Sequence, residues 1–138
     1  MDATPQVVEV DISSSQLLSL AENPVVLLSA PGSGYVIQPL RLFMHYKFGT
    51  VPYVDPTGGA SSKIISGGLI QTVTQWSPLV TALADEVTSF TFSQFFVHSR
   101  VQDENKPVLF ETNAGSGNDL INGDGTLVVR FYYFTQSL

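Results

Sequence analysis

Residues able to do chemistry are few in this chain, and their spacing keeps them apart. His45 and His98 are the only histidines, each inside a stretch that reads as a β-strand, flanked by Met44 and Tyr46 or by Val97 and Ser99. Acid–base catalysis needs such a side chain within hydrogen-bond reach of a carboxylate or nucleophile. Nothing in the spacing supplies that partner, so both read as core or surface-contact histidines. The serines of Gly32-Ser33-Gly34 and Gly115-Ser116-Gly117 lack the strand–turn–helix setting that aims a nucleophile. Pro31-Gly32-Ser33-Gly34 precedes a strand and carries no Gly-Lys-Ser/Thr, so it does not read as a phosphate loop.

Asn118, Asp119, Asn122 and Asp124 offer hard oxygen ligands of the kind calcium takes, but they depart from EF-hand spacing and lack its closing Glu. A turn rich in Asn, Asp and Gly accounts for the same residues with no ion. The acidic pairs Asp85-Glu86 and Asp103-Glu104 are adjacent in sequence, whereas a glycosidase holds two carboxylates across a cleft. Trp76 with Tyr53 suggests a carbohydrate site, against the commoner role of a single tryptophan as core. The reading is of a protein that is not an enzyme, with no cofactor and no metal.

Composition points the same way. The net charge is −6 with six Lys and Arg, scattered along the chain, which argues against a phosphate-binding surface and hence against nucleic acid. Charged residues are 13% of the chain, about half the ~25% usual for a globular protein. A surface so poor in charge is expected to be covered, by copies of itself or by a larger assembly. The chain has no cysteine, which removes disulfides and thiolate metal sites. The start, MDATPQVVEVD, does not read as a signal peptide, and no apolar run approaches the ~20 residues of a membrane span. The expectation is a soluble protein of one domain over residues 1–138, with an N-terminal arm (1–6) and a protruding ribbon (49–62).

The elements that must carry these residues are strands. Gln6–Ile12 alternates Val8, Val10 and Ile12 against Val7, Glu9 and Asp11. Ser13–Ser15 supplies cap hydroxyls for a short helix over Gln16–Ala21, which Asn23-Pro24 ends. Val25–Leu28 is an apolar strand, and Pro31–Gly34 reads as a hairpin turn into a long strand reaching Phe48. Strict alternation along it places Val36, Leu40, Leu42, Met44, Tyr46 and Phe48 on one face, opposite Tyr35, Ile37, Pro39, Arg41, Phe43, His45 and Lys47. Further strands are expected at Val51–Val54, Lys63–Ser66, Leu69–Gln75, Val87–Phe92, Phe95–Val101, Pro107–Thr112 and Thr126–Thr135. A second short helix begins at Pro78, capped by Ser77, with Leu79, Val80, Leu83 and Ala84 inward. So many short strands with no βαβ rhythm indicate an all-β fold, an antiparallel β-sandwich of jelly-roll type with one or two short helices.

Two stretches, VVEVDISSSQLLSLAENPVVLLSAPGSGYVIQPLRLFMHY and NKPVLFETN followed by GDGTLVVRFYYF, together resemble small β-rich structural proteins of tailed bacteriophage virions. The resemblance covers both ends of the chain and rests on fold motifs, so it implies a scaffold and no reaction. It implies a capsid decoration (cement) protein, a homotrimer on the head that contacts the major capsid protein or another virion protein, assembled in the host cytoplasm. The alternative is a host-glycan-binding or structural β-module of a head fibre, collar or tail. Contacts are expected from Tyr35, Ile37, Arg41, Phe43 and His45, from the ribbon residues Val51, Tyr53 and Asp55, and from the N-terminal arm. A glycan site would use Trp76, Tyr53 and the loop 113–125.

Overall fold

The structure, a computed structural model, describes residues 4–92, 104–115 and 117–138. The expected strand over 95–101, and with it His98, lies outside the described residues, as do Asp103 and Ser116. The chain runs β1 (Gln6–Ile12), α1 (Ser14–Leu17), β2 (Val25–Leu28), β3 (Tyr35–Lys47), β4 (Ser61–Ser66), β5 (Leu69–Gln75), α2 (Trp76–Leu79), β6 (Glu86–Thr91), β7 (Val108–Thr112) and β8 (Thr126–Ser137).

Four antiparallel pairings nest inside one another: β1 with β8, β2 with β7, β3 with β6, and β4 with β5. The chain is in effect a long hairpin doubled at the β4–β5 turn. Rolling that ribbon brings β3 onto β8 and β4 onto β7. Among the described residues the result is two four-stranded sheets, sheet A ordered β1-β8-β3-β6 and sheet B ordered β2-β7-β4-β5, a jelly-roll sandwich. The expected hairpin between β2 and β3 is therefore not one, because these strands lie in different sheets. Pro31–Gly34 instead carries the chain from one sheet to the other. Gly34 adopts φ +87° there, a value that suits glycine. Its amide donates to Glu104 Oε2 at 2.7 Å, and the Ser33 hydroxyl donates to the same oxygen at 3.1 Å. The loop does hold an anion, and that anion is a carboxylate of its own chain.

The core follows from alternation wherever alternation holds. Leu127, Val129 and Phe131 of β8 are fully buried, as are Ile12 of β1 and Leu42, Met44 and Tyr46 of β3. Between Pro39 and Arg41 the register of β3 against β8 slips at Leu40. One extra residue in a strand exchanges its two faces. Ile37 accordingly turns inward and joins the core cluster at 3% exposure, which corrects its placement on a contact face.

Both helices are single turns. Ser13 caps α1, with its hydroxyl accepting from the Gln16 amide while Gln16 Oε1 accepts from the Ser13 amide, the reciprocal capping box. The helix thus starts at Ser14, earlier than the periodicity suggests, and ends at Leu17. In α2, Trp76 and Leu79 are buried, but Ser77 has non-helical backbone angles and the turn ends at Leu79. Leu83, expected inward, is 74% exposed, because a single turn cannot carry a 3.6-residue period that far.

Candidate interaction surface

The outer face of sheet A gathers side chains from four strands in register. One row runs Val7, Tyr132, Arg41, Thr91 across β1, β8, β3 and β6; the next runs Glu9, Arg130, Phe43, Ser89; the third runs Asp11, Val128, His45, Val87. The strands place these residues on one side because each position is two residues from the next.

Within the rows two arginines sit over aromatic rings. The Arg41 guanidinium sits 5.6 Å from the Tyr132 ring centre, and that of Arg130 sits 5.6 Å from Phe43. Arg130 Nε also donates to Glu9 Oε2 at 3.0 Å, and that carboxylate holds the guanidinium charged beyond its ordinary range. At an exposed site such contacts add little to stability. Their larger effect is on order, since rotamer-rich side chains already held flat lose less entropy on binding. Aromatic and arginine side chains of this kind are enriched in protein–protein contacts.

Of the residues expected to make contacts, Arg41, Phe43 and His45 share this face, with Arg41 exposed and the other two half-buried. Tyr35 and Val51 are 43% and 42% exposed elsewhere on the surface. Asp55 is turned into its own loop, accepting from the Thr57 and Ala60 amides. Tyr53 is withdrawn altogether, 1% exposed and in the core. It draws the segment after β3 back onto the sandwich, where its amide donates to the Val80 carbonyl and Val54 bridges to Ile121. The residues missed from sequence are those of the neighbouring strands, Val7, Glu9, Arg130 and Val87. Only the register of β1, β8 and β6 aligns them with β3.

A carbohydrate site built on Trp76 and Tyr53 does not exist, because Trp76 is also 1% exposed. Its indole donates to Thr112 Oγ1 at 3.0 Å and its ring meets Phe110 edge to face. The four oxygen-bearing residues of the loop 113–125 also part company. Asp119 accepts from the Ala21 amide at 2.7 Å. Asp124 accepts from the amides of Thr50 and Val51 and from the Thr50 hydroxyl. They anchor opposite ends of the loop, and among the described residues no group of three His, Cys, Asp or Glu is arranged to hold a metal ion.

A groove of about 360 Å³ lies between the edge strands β5 and β6, lined by Val73, Gln75, Leu79, Glu86 and Val87 among others. Among the described residues Glu86 is its one titratable side chain. His45 stands two strands away from Asp11 in its row, a separation of about 10 Å, so that pair forms no dyad. No protein-family model matches the sequence, and no curated protein matches it.

Proposed function

We propose that this protein is a non-enzymatic structural component of a tailed-phage virion, a decoration protein whose sheet A outer face seats on the capsid or on another virion protein. The observation that carries this reading is the pre-ordered pair of arginine–aromatic contacts, Arg41 on Tyr132 and Arg130 on Phe43, on one face of a jelly-roll sandwich. The low charged fraction of the whole chain supports it, as does the likeness of both chain ends to virion β-proteins. Modest contacts suffice in this role, because copies repeated over a shell act together.

Co-sedimentation with capsids of the phage that encodes the protein tests the proposal. The unaltered protein is expected to pellet with capsids. A variant carrying Arg41→Glu and Phe43→Ala is expected to bind at least about tenfold more weakly, with unchanged circular dichroism. Absence of binding by the unaltered protein, or equal binding by the folded variant, refutes it.

A further inference from the structure

Among the described residues, the outer face of sheet B carries an apolar row whose two ends are exposed. Val26 pairs with Leu109, Leu109 with Ile65, and Ile65 with Ile70, so the row takes one residue from each of β2, β7, β4 and β5. Val26 and Ile70, at its ends, are 53% and 64% exposed, and Leu109 and Ile65 between them are half-buried. Four strands spaced by about 4.8 Å make the row roughly 14 Å long. The solvent face of an antiparallel sheet is ordinarily polar. Two residues further along the central strands, Lys63 of β4 stands directly opposite Glu111 of β7 on this same face.

We propose that two copies of the chain meet through this face, related by a two-fold axis that runs parallel to the strands between β7 and β4. Such a rotation preserves height along the strands, exchanges the two central strands, and exchanges the two edges. Leu109 then lies over Ile65 of the second copy, Val26 over Ile70, and Lys63 over Glu111. Apolar meets apolar and each charge meets its opposite, giving four alternating charges beside a closed apolar row. A two-fold axis along the row itself carries the Lys63–Glu111 pair across to the other side of the row, away from its counterpart. Charge complementarity therefore selects the first operator, and a two-fold contact of this kind closes without leaving an open end. Facing sheets are rotated by about 30°, so the match is best at the central strands, where the two charges and Leu109 and Ile65 sit.

The size of the face predicts its strength. Four strands by about six residues present roughly 400 Å² of flat sheet per copy, short of the ~800 Å² each partner buries in a standard interface. The pair is expected to be weak in dilute solution and to matter where copies are held close together. This association needs no capsid, so it stands or falls separately from the decoration role.

Sedimentation equilibrium of the full chain, from about 10 to about 500 µM to bracket a weak interface, is the test. The unaltered protein is expected to populate dimers or even-numbered species. Lys63→Glu and Glu111→Lys are each expected to weaken self-association at least about tenfold, with folding verified by circular dichroism. An equimolar mixture of the two single variants is expected to pair again, because each reversed charge then meets an unlike one across the axis. Pairing within the sheet of one chain cannot produce that rescue. A protein that stays monomeric throughout, a trimer indifferent to both variants, or a mixture that pairs no better than its components overturns the proposal.

Discussion

Tyr46 and Tyr53 meet edge to face, ring centres 6.1 Å apart and planes at 64°, yet their hydroxyls have opposite fates. Tyr53 Oη donates to the Gly125 carbonyl at 2.6 Å, whereas Tyr46 Oη is buried with no hydrogen-bond partner among the described residues. Burial, the largest cause, pushes both phenols up, and the nearby Asp124 carboxylate adds to it. Removing a satisfied hydroxyl costs about 1 kcal/mol, while removing an unsatisfied one relieves a desolvation cost. Tyr53→Phe is therefore expected to lower the urea midpoint, and Tyr46→Phe to preserve or raise it. Equal losses in both variants contradict this assignment.

Gly123 is present because Tyr53 leaves no room for a side chain. A Cβ there falls 2.1 Å from the Tyr53 ring, and the ring is fully buried and bonded at its far end. Gly123→Ala is expected to destabilise the fold by about 3 kcal/mol through overpacking. Gly59→Ala, where an added Cβ meets nothing within 4 Å, is expected to stay within about 0.5 kcal/mol of the parent. Chemical denaturation of the two variants side by side decides it.

Thr112 serves two donors at once. Its hydroxyl oxygen accepts from Trp76 Nε1 at 3.0 Å and from the Ala114 amide at 3.3 Å. Thr112→Val keeps the shape and orphans both, at a cost of about 1–3 kcal/mol. Because Trp76 is the single tryptophan of the chain, its emission reports the site directly. A red shift with the lowered midpoint is expected, and an unchanged spectrum and midpoint argue against the bond.

Two carboxylates that anchor the loop 113–125 respond to pH with opposite sign. The Thr50 hydroxyl, then the Val51 and Thr50 amides, hold the Asp124 carboxyl below its ordinary value. Its contribution is present above the unfolded-state value of about 3.9 and is lost as pH falls through the lower folded value. Burial first, and then the neighbouring Glu22 carboxylate, raise Asp119 against the hydrogen bond from the Ala21 amide. Ionising Asp119 therefore works against the fold as pH rises past about 3.9 and through its raised folded value. Asp124→Asn is expected to flatten the acid limb of the stability curve and lower stability near neutrality. Asp119→Asn retains an acceptor for Ala21, and it is expected to raise stability near neutrality. Urea midpoints between about pH 2 and pH 7 test both signs at once.

Much of the fold was legible in the chain. Alternation in β1 grouped Val8, Val10 and Ile12 on one face, since a strand's period of two admits only two assignments, and that is the face the structure buries. Ser13–Ser15 signalled a nearby helix start because capping is a local contact, although α1 begins at Ser14 and ends at Leu17 where Gln16–Ala21 was expected. The count of short strands separated by turn residues identified an all-β sandwich.

What the chain could not reveal is whatever depends on a partner far away in sequence. The crossing of Pro31–Gly34 between sheets looks like a hairpin because both use the same glycine-rich turn, and only the pairing of β2 with β7 and β3 with β8 separates the two. Ile37 looks outward until the slip at Leu40, which arises from the register against β8 and not from β3 itself. Tyr53, set among Gly, Pro and Thr, looks like a contact residue, and only Gly123 and Gly125 from the far end of the chain make a core position for it. The two faces on which the proposals rest are likewise products of register. The sequence by itself determined that strands form and how each alternates, because those preferences are local. The tertiary structure decided which strands neighbour one another, and so which scattered arginines, aromatics and aliphatics become a surface, because strand pairing is a long-range choice that no local preference encodes.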